Sequence, residues 1–175
     1  MKKYIILSIL FVTLCASAFA QRVAFVDAEY ILKHIPEYAS AQKQLDASSV
    51  KWQKEIEDQF SEVEKMKKDY QADQVLLTDA MRKERKEAID KKEKEAQDLQ
   101  QRRFGYQGDL YQEKIRLIKP IQDKVAKAVE EYANRESIDI ILDKSTVTLL
   151  FARPTFDGTN EIITRMGYKP GSFAK

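Results

Sequence analysis

A polar stretch running from Glu37 to about Arg135 constrains this chain more than any other feature. In its first half, apolar or small residues fall at Tyr38, Ala41, Leu45, Ser48, Trp52, Ile56, Phe60, Val63, Met66 and Tyr70. Every step is three or four residues, the repeat of one helical face. The pattern resumes with Met81, Ala88, Ile89, Ala96, Leu99, Phe104 and Leu110, then Ile115, Ile118, Val125, Val129 and Tyr132. The usable turn signal lies around Val75–Asp79. Two long antiparallel helices with a tight reversal near 75–79 are therefore predicted over residues 37–135. A helix of nearly forty residues is about 57 Å long at about 1.5 Å per residue. That exceeds the width of a small domain, so the hairpin must project and most of its surface must be wet.

Residues 1–20 read as a leader outside the fold. Lys2 and Lys3 precede an apolar run from Tyr4 to Ala16, and Ala18-Phe19-Ala20 is a small-x-small cleavage site ahead of Gln21. The run falls short of the roughly 20 residues of a spanning helix. Cys15 would be the acylated residue of a lipoprotein, but bulky Leu14 before it argues against that. It is also the single cysteine, so a chain cleaved near Ala20/Gln21 forms no disulfide.

Removing Lys2 and Lys3 leaves 28 basic and 28 acidic residues from totals of 30 and 28. Balanced charge and an export signal exclude a nucleic-acid-binding reading. The charges are unevenly placed. Glu37 to Glu64 is net acidic, and Lys65 to Lys86, around the reversal, is net basic. From Arg82 to Asp98 the apolar positions are Ala88, Ile89 and Ala96, too few for a solid core. Pairs of Glu and Lys at i,i+4 hold such a helix weakly.

The flanks differ in character. Arg22–Asp27 is a short apolar run that suits a buried strand, and Asp27 can cap a helix from Ala28 to His34. Pro36 ends that piece and admits the long helix. Thr78 is the expected N-cap of the descending helix. Gly105 and Gly108 fall in the middle of that helix, either as close-packing positions or as a soft point, and Pro120 predicts a kink. Beyond Arg135, Ile138–Asp143 and Val147–Ala152 read as two strands joined as a hairpin by Asp143–Thr146. Thr159 or Asp157 can cap a last helix, Asn160 to Met166, ended by Gly167. The tail Tyr168–Lys175 is expected to be loose.

The fold class is α+β and mostly helical: a long helical hairpin inserted in a small β-body formed by residues 21–36 and 136–175. Three short strands do not make a stable sheet alone, and their edges invite pairing. Oligomerisation with closed symmetry resolves this. Val23, Phe25, Ile140, Ile141, Leu149 and Phe151 are the candidate oligomer interface. Tyr70, Leu76, Leu77 and Met81, near the reversal, are the exposed apolar candidates for binding apolar segments of a partner.

In the order of its parts the chain resembles the Skp/OmpH family of periplasmic chaperones for outer-membrane proteins. The resemblance rests on "RVAFVDAEYILKHIPEY", the long charged hairpin and "IDIILDKSTVTLLFARPTFDGTNEIITRM". It implies periplasmic location and a homotrimer with a β-barrel-like body and three helical arms around a cavity. It also implies ATP-independent holding of unfolded outer-membrane β-barrel proteins. The mature chain is neutral where relatives can be strongly basic. No residue pattern assigns contact with lipopolysaccharide or another envelope lipid.

Two other classes compete with this one. A coiled-coil spacer or adaptor of the envelope is the alternative, and client binding discriminates it. An enzyme lacks support: there is no Gly-rich phosphate loop, and the single His34 has no nucleophile or metal-ligand partner at useful spacing. No catalytic residue, cofactor or metal is expected.

Overall fold

The computed structural model describes residues 21–174, so the leader reading at 1–20 lies outside the described residues. In chain order the elements are β1 (Val23–Val26), α1 (Ala28–Lys33), α2 (Pro36–Asp73), α3 (Asp79–Phe104), α4 (Asp109–Glu136), β2 (Ile140–Asp143), a 3-10 turn (Pro154–Phe156) and α5 (Thr159–Arg165). The chain is mostly helical, as its periodicity implies. No described helix is long and apolar enough to cross a membrane.

Local chemistry sets most boundaries. Asp27 Oδ1 accepts the Tyr30 N–H at 2.8 Å, capping α1. Pro36 occupies the first turn of α2, where its missing N–H leaves no donor unsatisfied. Thr78 Oγ1 accepts the Met81 N–H at 3.3 Å and starts α3. The left-handed φ of 85° at Gly167 follows the end of α5.

The chain folds as two compact units. One comprises residues 21–31 and 126–171 of the described chain. There β1 pairs in parallel with β2, Val23 opposite Ile140 through Val26 opposite Asp143. A parallel bridge joins Phe25 to Asp157 on the other side of β1. Ala24, Val26, Ile31, Ile162 and Ile163 are buried.

The expected hairpin partner of β2 does not form. Val147–Ala152 is irregular, with Leu150 96% and Phe151 83% exposed. The Thr146 N–H on the Asp143 carbonyl at 3.1 Å closes a four-residue turn, but the Val147 N–H donates to the same carbonyl at 3.1 Å, so the chain keeps turning instead of running back along β2. The Asp143 carboxylate binds the Ala28 N–H at 3.1 Å and the Ser145 hydroxyl at 2.7 Å, fixing this turn to the start of α1.

The other unit, residues 32–125 and 172–174 of the described chain, holds the hairpin. Helices α2 and α3 pack along a thin seam. Leu45, Ile56, Val63, Ile89 and Ala96 are buried, and the flanks are charged. Lys92 meets Glu62 at 2.7 Å and Lys67 meets Glu93 at 2.9 Å. These pairs are wet and individually weak, yet they mark the register. Deleting residues 64–70 together with 88–94 removes opposed turns. That shortening is expected to preserve helicity, thermal transition and oligomeric mass, because it takes little from the remaining buried set. Circular dichroism and light scattering check it; aggregation would show that the distal hairpin supports the rest.

The descending limb is broken where one continuous helix was expected. It stops at Phe104 and restarts at Asp109. A Cβ on Gly105 would lie 2.2 Å from the Gln101 carbonyl oxygen, and one on Gly108 would lie 2.6 Å from that of Arg102. Gln107 between them has a left-handed φ of 55°. The two glycines therefore make a joint. Pro120 lies within α4, which continues through it.

The tail also differs from expectation. The Ala174 N–H donates to the Lys33 carbonyl at 3.1 Å, and the Phe173 ring lies 4.9 Å from that of His34. His34 is 2% exposed, so the ring contact sets Phe173 against a buried residue while the backbone bond holds Ala174 to its neighbour Lys33.

Candidate functional site

Two exposed apolar surfaces stand out, one in each unit. On the sheet, side chains alternate between faces. Ala24 and Val26 are buried, whereas Val23 is 40% exposed and Phe25 is half-buried. On β2, Ile140 and Leu142 are exposed while Ile141 is half-buried. A cleft of about 360 Å³ is lined by Val23, Phe25, Leu142, Leu149, Phe151 and Phe156, with Ala24, Ala152 and Arg153.

Four of the six candidate interface residues thus come together: Val23, Phe25, Leu149 and Phe151. Ile140 and Ile141 are not in the lining. They are neighbours on one strand and so point to opposite faces. Leu142 and Phe156 were missed. Period-two alternation from Ile140 would have found Leu142. Phe156 follows a proline in a short turn and carries no comparable signal.

A charged network lies beside this cleft. Lys144 Nζ is 3.2 Å from Asp157 Oδ2, 3.8 Å from Asp27 Oδ2 and 5.5 Å from the centre of the Phe25 ring. The Asp27 N–H donates to Thr159 Oγ1 at 2.9 Å, and the Thr159 hydroxyl and N–H donate to Asp157. The last helix starts one residue earlier than expected, so Thr159 lies inside it with Gly158 at the N-cap, and of the two expected caps it is Asp157 that accepts the Thr159 N–H. Burial pushes the Asp157 carboxyl up, but the Thr159 hydroxyl and N–H and Lys144 outweigh it and hold it below its ordinary value. At Asp143 burial likewise pushes the carboxyl up, and the hydrogen bonds from Ser145 and Ala28 outweigh it and hold it below its ordinary value.

Both native values lie below the unfolded one, about 3.9 for aspartate. Their contribution to stability is present above that value and is lost as pH falls through the lowered native values. Asp157→Asn is expected to destabilise the protein at pH 7 and to reduce the dependence of stability on pH below about 4. Denaturant melts across pH 2–7 for wild type and variant, buffers spanning about that range, measure this.

On the hairpin the second surface surrounds the reversal. Leu76 is 81% and Val75 84% exposed, Met81 is exposed, and Tyr70 and Leu77 are half-buried. The turn is held by the Leu76 N–H on the Asp73 carbonyl at 2.8 Å and by Arg82 Nε on the Gln74 carbonyl at 3.0 Å. Polar bonds therefore make the reversal, and its apolar side chains are left largely free of packing. Tyr106, in the joint, is 93% exposed and was not anticipated, since an aromatic between two glycines falls outside the helical repeat.

A small parallel sheet with an apolar cleft, interrupted in sequence by a long charged helical hairpin, defines an architectural class. The sequence profile of the outer membrane protein (OmpH-like) family matches residues 22–166, and the chain belongs to that family. Among solved structures it is similar to a candidate outer membrane chaperone (OmpH-like) from Caulobacter crescentus CB15. That match has 13% identity and a TM-score of 0.65, covering 89% of this chain and 90% of the other. No curated protein gave a significant match.

Proposed function

We propose that this protein is a nucleotide-independent holdase that keeps unfolded outer-membrane β-barrel proteins from aggregating in the periplasm. The observation that carries the reading is the pairing of a wet, charged hairpin with unpacked apolar side chains at its reversal, above all Leu76. Such a surface offers many weak apolar contacts and no deep pocket, which suits a chain without fixed structure. Family membership and the similarity to a candidate outer membrane chaperone support it. In this reading the leader is cleaved near Gln21, three copies associate through the sheet and its apolar cleft, and the hairpins enclose the client.

Aggregation suppression tests it directly. An unfolded outer-membrane barrel protein diluted from urea should stay soluble in the presence of this protein without ATP. Failure to suppress light scattering at stoichiometric excess would reject the holdase and leave the spacer or adaptor reading.

A further inference from the structure

We infer that Arg103 is an ionic latch that sets the joint in the descending limb. Arg103 lies in the last turn of α3. Its Nη1 is 2.7 Å from Asp109 Oδ2, on the first residue of α4, and its Nη2 is 3.3 Å from Glu55 Oε2, on α2. The guanidinium carbon sits 5.0 Å from the centre of the Trp52 ring, also on α2. One planar side chain therefore ties three helices at the joint. Arginine suits this, because it stacks on an aromatic face while its fork reaches two carboxylates.

The backbone of the joint has little else to hold its angle. Helical hydrogen bonding runs to the Gly105 N–H on the Gln101 carbonyl at 2.8 Å and resumes with the Gln112 N–H on the Gly108 carbonyl at 3.0 Å; between them Gly105 is extended and Gln107 is left-handed. The Gly108 N–H donates to the Gly105 carbonyl at 2.9 Å, and Gln112 reaches the Gln107 carbonyl at 3.3 Å. Arg103 spans the whole break.

The latch is also built to open. Arg103 Nε is buried without a hydrogen-bond acceptor, a donor that closing removes from water and opening returns to it. Glu55 and Asp109 are part-exposed, so salt reaches their pairs with Arg103. Opening costs two wet ion pairs and one ring contact, and regains one solvated donor. Under the holdase reading, on which this consequence rests, the latch sets how far the hairpin yields around a client.

Segment-resolved amide hydrogen exchange on the purified protein tests the latch without any client, so its failure is separable from failure of the holdase reading. Arg103→Met keeps a chain that can cover Trp52. It should speed exchange across residues 105–112 about tenfold and leave 62–70 and 88–96 unchanged. Glu55→Gln should give a smaller rise confined to the same segment. Adding salt to about 0.5 M should speed the wild-type joint and not that of Arg103→Met. Unchanged exchange at the joint in both variants, acceleration spread evenly along the hairpin, or equal salt responses would overturn the latch. Should Arg103→Met lose helicity by circular dichroism, Glu55→Gln decides: a local rise with a smaller salt response than wild type, from the remaining pair with Asp109, supports the latch and no local rise rejects it.

Discussion

Phe151→Asp is expected to abolish self-association while leaving the helices folded. Phe151 is 83% exposed in the single chain, so a carboxylate there costs the isolated fold little. It also lines the apolar cleft with Val23, Phe25 and Leu149. If copies meet through that cleft, association buries the new charge without a partner. A charge moved unpaired into an apolar contact costs several kcal/mol, and about 1.4 kcal/mol is a factor of ten in affinity. Association should therefore weaken by at least about a hundredfold. Under the proposed three-copy assembly, light scattering should report the mass of one chain at concentrations where wild type is expected to give that of three, with unchanged far-ultraviolet circular dichroism. Wild-type mass in the variant would remove the cleft from the assembly.

Replacing Leu76, Leu77 and Met81 together with serine should weaken client capture about tenfold or more and leave the oligomer intact. Burying one such side chain contributes about 1.5–3 kcal/mol, and even partial burial of three exceeds the energy of one factor of ten. The reversal itself should survive. Its turn is held by Arg82 on the Gln74 carbonyl and by the Thr78 cap, neither of which is altered. Residues 65–86 are net basic while residues 21–175 together are neutral, so salt should weaken wild-type capture only modestly. Aggregation suppression at low and high salt, for wild type and the triple variant, separates the forces. Full activity in the variant would remove the apolar reversal from the mechanism, and complete loss at moderate salt would make charge dominant.

The sequence by itself determined the elements whose causes are local. A three-four repeat buries one helical stripe wherever it occurs, so α2 and α3 were legible from Leu45, Ile56, Val63 and Ala96. Thr78, Asp27, Pro36 and Gly167 act on backbone groups within a few residues, so the boundaries they set were legible too. The order of flanks and hairpin carried the family resemblance, which the profile match over residues 22–166 bears out.

Only the tertiary structure decided what depends on distant partners. Val147–Ala152 has strand-like composition, but β2 takes its partner from β1, more than a hundred residues earlier, and the Val147 N–H turns back onto the Asp143 carbonyl. Gly105 and Gly108 left packing and softness equally open in the sequence. The approach of the Gln101 and Arg102 carbonyls shows that a side chain would not fit, and the helix breaks there. Arg103 looked like one more charge on a wet face. Its meaning comes from Trp52 and Glu55, about fifty residues away along the chain and within 5.0 Å and 3.3 Å in space. A periodic pattern says which face of a helix turns inward. It does not say which residue of the facing helix will be there, because that register is set by the whole length of both helices at once.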